Sequence, residues 1–146
     1  MTNPLVYYRI CPGAEVRRDA RFTVRELDLH RDPALIRRFY ARFGGEPVDP
    51  DAFPAYVGSP LAILAEGEIA CFAIPLSLRE GETEIGGVAT VPERRGEGLC
   101  KALIAEMASR ILAQGLTAVL TTHRDNLPMR AAAEGIGMER FSRGAE

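Results

Sequence analysis

The hydrophobic period of this chain changes sharply around one glycine-rich turn. Residues 84–91 read as a strand. From Leu99 the apolar residues Leu99, Leu103, Met107 and Ile111 fall four apart, with Ile104, Ala108 and Leu112 beside them. That spacing gives a helix one broad apolar face, and Gly115 closes it. Residues 117–122 then read as a buried-type strand. A strand, a helix and a strand in succession predict a parallel pair joined by a right-handed crossover. A chain built around such a unit folds as a mixed α/β sheet with flanking helices.

The flanking segments fit one domain of 146 residues, a length that buries enough surface to hold itself together without staples. Residues 5–10 form a short strand, broken by Cys11-Pro12-Gly13. The first 20 residues are the least regular and read as an extra N-terminal strand or arm. Residues 22–29 read as a strand whose alternation slips between Val24 and Leu27, the pattern of a bulge. Asp32-Pro33 starts a helix. Leu35, Ile36, Phe39, Tyr40 and Phe43 give its apolar stripe, and Gly44-Gly45 ends it. A second, shorter helix is expected over 49–57. Residues 61–65 and 69–78 flank the hairpin turn Glu66-Gly67-Glu68. Gly86-Gly87 lies in the strand 84–91, where glycine implies a bulge or the close approach of another backbone. A last helix opens at Asn126 and runs through Glu134, and residues 138–141 add a final strand.

Charge narrows the partners. With 18 basic and 20 acidic residues the net charge is −2, so bulk nucleic-acid binding is not expected, and any anion site is a local cluster. No run of about eighteen apolar residues is present, so no membrane partner is expected. The N-terminus does not read as a signal peptide. Cys11, Cys71 and Cys100 are odd in number and widely spaced, as reduced thiols of a cytoplasmic protein would be. With His30 and His123 the two histidines, no metal site is expected.

The turn itself is VPERRGEGLC, residues 91–100. The first turn of a helix points unpaired N–H groups outward, and the macrodipole adds partial positive charge. Gly96 and Gly98 let the backbone close on a ligand, while Arg94 and Arg95 supply full charge. This suits a phosphate, above all a pyrophosphate. A nucleoside-triphosphate loop would need glycine before Lys101 and Ser or Thr after it, where Cys100 and Ala102 stand. A dinucleotide fingerprint would need glycine at 101 itself.

A third pattern fits. Arg95-Gly96-Glu97-Gly98-Leu99-Cys100, behind the strand ending Thr90-Val91-Pro92, resembles the coenzyme-A loop of the GNAT superfamily of N-acyltransferases. That loop reads Arg/Gln-x-x-Gly-x-Gly/Ala, and Cys100 departs from it at the last position. Downstream, Asn126 and Gly137 match the family's Asn-to-Gly-Phe segment in place, and Met138 stands where that segment has Phe. The order of elements from Phe22 onward agrees as well.

The resemblance implies a GNAT-like single domain over residues 1–146. Acetyl-CoA would be the cosubstrate, with no metal. The backbone of Val88, Ala89 and Thr90 would pair with the pantetheine arm. Arg95, Gly96, Glu97, Gly98, Leu99 and Cys100 would cradle the pyrophosphate. Asn126 would bond the arm near its amide. The family's usual proton-donating tyrosine aligns with Ala133, which cannot donate. Amine attack on a thioester is helped by a base. Glu84 is the first candidate and His123 the second, while Thr121 stands where other members place a glutamate. The implied activity is acetyl transfer to the amine of a small molecule or a protein. The alternative is an acyl-CoA-binding module with little or no catalysis. A β-rich surface leaves room for a homodimer.

Overall fold

The structure, a computed structural model, describes residues 4–28, 30–42 and 57–143. Strands β1 (Leu5–Ile10), β2 (Arg25–Glu26), β3 (Leu61–Ala65), β4 (Glu68–Leu76), β5 (Glu82–Thr90), β6 (Thr117–His123) and β7 (Glu139–Phe141) form one sheet in the order β2-β3-β4-β5-β6-β1-β7. The helices are α1 (Pro33–Ala41), α2 (Leu99–Ala113) and α3 (Leu127–Ile136). β5 and β6 are the parallel pair, joined through α2 as the period change requires. The other neighbours are antiparallel.

The helices take both faces of the sheet. Residues 69–75 of β4 are buried throughout, which needs cover on each side. On one side α1 lays Phe39 and Tyr40 against Phe72, with ring centroids 5.5 and 5.9 Å apart. One residue away, Cys71 points to the other face and feels Cys100 at the start of α2. α3 joins α2 on that second face, where Cys100 Sγ lies 3.7 Å from Met129 Sδ. Leu103, Ile104 and Ala108 of α2 are fully buried there.

β1 lies inside the sheet, between β6 and β7. Val6, Tyr8 and Ile10 alternate onto the helix face and are buried. A buried aromatic of this kind contributes about 2–3 kcal/mol. The Tyr8 hydroxyl donates to Glu134 Oε2 at 2.6 Å and accepts from Arg130 Nε at 3.1 Å. The arm that follows then crosses the helices. Arg17 N–H donates to the Ile136 carbonyl at 2.9 Å, and Arg18 pairs with Glu106 of α2. The irregular N-terminal part, from residue 4 to residue 20, is thus a sheet strand plus a strap over α3 and α2.

Several boundaries differ from the sequence reading. The strand expected over 22–29 reduces to two paired residues at the sheet edge, and Leu29 lies outside the described residues. Local side-chain bonds end it: Asp28 Oδ1 accepts from the His30 and Arg31 amides, and Asp32 Oδ2 accepts from the Asp28 amide. Such Asx contacts compete with ladder pairing. α1 closes at Ala41, capped by Arg42, and the expected stop at Gly44-Gly45 lies outside the described residues. So does 49–56 of the expected second helix; its last residue, Val57, is not helical. β5 begins two residues earlier than expected. Gly86-Gly87 forms the bulge alternative: the register with β4 slips between Phe72 and Ile74, and Gly87 has φ +58°. A Cβ on Gly86 would sit 2.5 Å from Leu76 Cδ1.

Candidate active site

The site begins where β5 and β6 part. They pair at Glu82, Thr83 and Glu84 against Thr117, Ala118 and Val119, and no further. Residues 85, 86, 89 and 90 of β5 keep their pairing with β4 around the bulge, and 85–90 have no strand on the β6 side among the described residues. The stretch holding Val88, Ala89 and Thr90 therefore has no strand beside it, although the Thr90 carbonyl is held by Arg95, and an unflanked strand edge is what an extended arm needs to add itself as a strand.

The glycine-rich turn closes the upper end of this gap. Pro92–Arg94 makes one tight turn, and Arg95 N–H donates back to the Pro92 carbonyl at 3.3 Å. Gly96 and Gly98 have φ of +82° and +88°, in the left-handed region that side-chain-bearing residues avoid. α2 starts immediately after, its first closing bond running from Ala102 N–H to the Gly98 carbonyl at 3.1 Å. Among the described residues the amides of 96–101 donate to no backbone carbonyl. Successive free amides at a helix start form an anion cradle. Arg95 folds back, its Nε bonding the Thr90 carbonyl at 3.2 Å, so it braces the strand end. Arg94 turns toward Glu97 and Glu66, at 3.7 and 3.9 Å. The strap adds what the motif did not reveal. The space where a Gly98 Cβ would sit is 3.4 Å from Arg21 Nη2 and 3.9 Å from Phe22 Cε2. A lone arginine some 75 residues upstream carries no sequence signal for that position.

Below the gap, on the face away from α2 and α3, lies a cleft of about 460 Å³. It is lined by Tyr7, Leu78, Arg79, Glu82, Glu84, Thr121 and Arg143. Registry explains the grouping, since Tyr7 stands opposite both Thr121 and Phe141 and shares their face. Glu84 Oε1 accepts from the Thr121 hydroxyl at 2.7 Å. Glu82 takes two bonds from Arg143, at 2.7 and 3.1 Å. Those bonds, with the charges of Arg143, Arg79 and Arg9, hold the Glu82 carboxyl below its usual range against the opposing effect of burial. The Arg143 guanidinium also stands 4.8 Å from the Phe141 ring centroid and 5.9 Å from that of Tyr7.

The other sequence candidates sit elsewhere. His123, at the end of β6, accepts from the Asp125 amide at 3.1 Å through Nδ1 and does not line the cleft. Asn126 caps α3, its Oδ1 accepting from Met129 N–H at 3.3 Å. Ala133 is fully buried in α3. Tyr8 of β1 bonds to Arg130 and Glu134 of the same helix, while Met129 meets Cys100. Burial pushes the Cys100 thiol up to about 12, with Cys71 adding to the shift. Burial also raises Cys71, to about 11. Both stay protonated and unreactive at neutral pH. Of the cleft residues, motif reading does not find Tyr7, Arg79, Glu82 or Arg143: Arg79 and Glu82 belong to a connection with no motif, and Tyr7 and Arg143 join them only through the placement of β1 inside the sheet.

The family model described as acetyltransferase (GNAT) family matches residues 14–138. The chain belongs to that family. Solved GNAT structures share the fold. An acetyltransferase from the GNAT family of Novosphingobium aromaticivorans superposes with a TM-score of 0.72 at 20% identity, over 94% of this chain and 60% of that one. The ribosomal-protein-S18-alanine N-acetyltransferase of Escherichia coli gives 0.63 at 21% identity, covering 82% of this chain and 79% of its own. An IAA acetyltransferase from Bacillus cereus gives 0.63 at 17%, covering 82% and 78%. This chain therefore spans less than two thirds of the Novosphingobium GNAT protein. No curated protein matches it. No helix among the described residues of this GNAT chain is long and apolar enough to cross a membrane.

Proposed function

We propose that the chain transfers an acetyl group from acetyl-CoA to an amine by direct attack. The observation that carries this reading is the Glu84 carboxylate, fixed by Thr121 in a cleft beside the parting of β5 and β6. The anion cradle at 96–101 and the unpaired edge of β5 fit the pyrophosphate and the pantetheine arm. Bound there, acetyl-CoA supplies an electrophilic acyl thioester. Thr121 holds one carboxylate oxygen of Glu84, so the carboxylate meets the acceptor in one orientation. Glu84 takes the proton that the ammonium of the acceptor must lose before it can attack. Leu78 and Tyr7 line the same cleft and offer the acceptor apolar contact. The backbone around Gly96 and Gly98 would hold the phosphates through its amides, and the α2 dipole would add to their field. Asn126, already a cap through its oxygen, would offer its amide nitrogen to the arm.

Ala133 motivates a second reading, an acyl-CoA-binding module with little catalysis. No hydroxyl at that position can protonate the departing thiolate. A coenzyme thiolate is a fair leaving group, which favours the enzyme reading. Release of free thiol from acetyl-CoA over a broad panel of amines tests it. Amine-dependent release supports transfer. Coenzyme binding without release with any amine supports the module.

A further inference from the structure

We infer that Leu76 sets the length of the acyl group the chain transfers, admitting acetyl and excluding longer acyl chains; this rests on the acetyl-transfer reading of the same site. Leu76 of β4 stands opposite Glu84 in the ladder, and Ile74 stands opposite Gly86. Ladder partners share a face of the sheet, as do residues two apart along a strand. Leu76, Ile74, Glu84 and Gly86 therefore lie on one face, that of the candidate base. Gly86 has no side chain to fill its place there, and Leu76 takes the space. Its Cδ1 lies 2.5 Å, and its Cγ 3.3 Å, from where a Gly86 Cβ would sit. Ile74 Cδ1 likewise stands 3.4 Å from where a Gly87 Cβ would sit.

Position along β5 tells which part of the acyl-coenzyme meets this leucine. Glu82 and Glu84 line the cleft that takes the amine. Val88, Ala89 and Thr90 form the unflanked stretch that fits the pantetheine arm. The thioester joins the arm to the attacking amine, so it lies between the two, over residues 85–87. Gly86 is the middle residue of that span. A glycine inside a strand admits a close neighbour, and here the neighbour is an aliphatic side chain leaning across from β4. Leu76 is only partly buried, although it packs against the core. An acetyl methyl is the shortest tail such a thioester can carry. Each further methylene directed over Gly86 runs toward the Leu76 methyl, and a close-packed side chain gives way only at a cost. The limit is thus set by one side chain on β4 and not by the β5 backbone, so it can be altered without touching the base or the coenzyme turn.

The test is turnover of acetyl-, propionyl- and butyryl-CoA with whichever amine of a broad panel gives the fastest thiol release from acetyl-CoA. Wild type should use acetyl-CoA with kcat/KM about tenfold or more above that for butyryl-CoA, propionyl-CoA falling between. Leu76→Ala removes the isopropyl group and should raise the butyryl-to-acetyl ratio by about tenfold or more. Leu76→Val, shorter but suited to a strand, should move the ratio the same way by less. It carries the test if thermal unfolding shows that the alanine variant does not fold. An unchanged ratio in the folded variants, or a wild type that uses butyryl-CoA as well as acetyl-CoA, overturns the inference and leaves acyl transfer standing. No thiol release from any of the three thioesters with any amine overturns both.

Discussion

The Thr121 hydroxyl donates to Glu84 Oε1 at 2.7 Å, joining the two parallel strands just as they separate. In the sequence these residues had different standing. Glu84 reads as a candidate base, and Thr121 stands where other family members place one. The structure makes them one unit, because Glu84 and Val119 are register partners and Thr121 is two residues on, on the same face.

Glu84→Gln keeps the shape and the Thr121 bond partner but removes basicity. Turnover is expected to fall by about 100-fold or more, with coenzyme affinity unchanged. Thr121→Val should lower it less, by a few-fold. His123→Ala should leave turnover near wild type, since His123 lies outside the cleft. Steady-state kinetics beside a coenzyme titration measure all three. Unchanged turnover in Glu84→Gln removes it as the base.

Gly98→Val places a β-branched residue at φ +88° and a Cβ 3.4 Å from Arg21. The strain costs about 1–2 kcal/mol. Relief by moving the strap or the turn would misalign the amides of 96–101. The expected result is coenzyme affinity weaker by tenfold or more, with a lower melting temperature. Calorimetry and thermal unfolding read the two effects separately. Wild-type affinity would mean that the turn does not hold the coenzyme.

The thiols divide by exposure. Cys11 is exposed, Cys71 buried and Cys100 partly buried. Iodoacetamide at pH 8 should label Cys11 first, with Cys71 and Cys100 lagging until unfolding, as intact-mass spectrometry would record. The raised thiols also link stability to pH. Their ordinary value is 9.0, against about 11 for Cys71 and about 12 for Cys100 when folded. The stability they lend is complete below pH 9 and is lost as pH rises toward those values, because the unfolded thiols release protons first. The urea midpoint should fall above pH 9, and less steeply in Cys100→Ala. An identical slope would contradict the burial argument.

Arg143→Met removes the partner of Glu82. These side chains are 14% and 22% exposed, and the pair lies at an open cleft, so losing it should cost on the order of 1 kcal/mol. The Glu82 carboxyl is held low in the folded chain. Its contribution is therefore present above the unfolded value and is lost as pH falls through the folded one. Denaturation midpoints between pH 3 and 7 should show a shallower acid limb in the variant than in wild type. Parallel limbs would mean that the pair contributes nothing to folding.

Much of the frame was legible because period changes are strong signals. The unit from 84 to 122, the hairpin across Gly67 and the turn at Gly96 and Gly98 follow from local spacing and glycine chemistry. The cleft was hardly legible. Tyr7 and Arg143 lie at opposite ends of the chain and meet because β1 inserts between β6 and β7, a long-range choice that no local pattern encodes. Arg21 and Phe22 reach Gly98 for the same reason, carried by the strap. Residues 22–29 read as a full strand where only Arg25–Glu26 pair, since alternation cannot register the Asx contacts around Asp28 that end the strand.

The most direct measurement is a calorimetric titration of the intact chain with acetyl-CoA and, in parallel, with acetylpantetheine, which lacks the pyrophosphate and nucleotide. If the turn at 96–101 holds a pyrophosphate, acetyl-CoA should bind with Kd in the micromolar range and acetylpantetheine about 100-fold more weakly. Equal affinity for the two, or no binding of acetyl-CoA at millimolar concentration, would contradict the account.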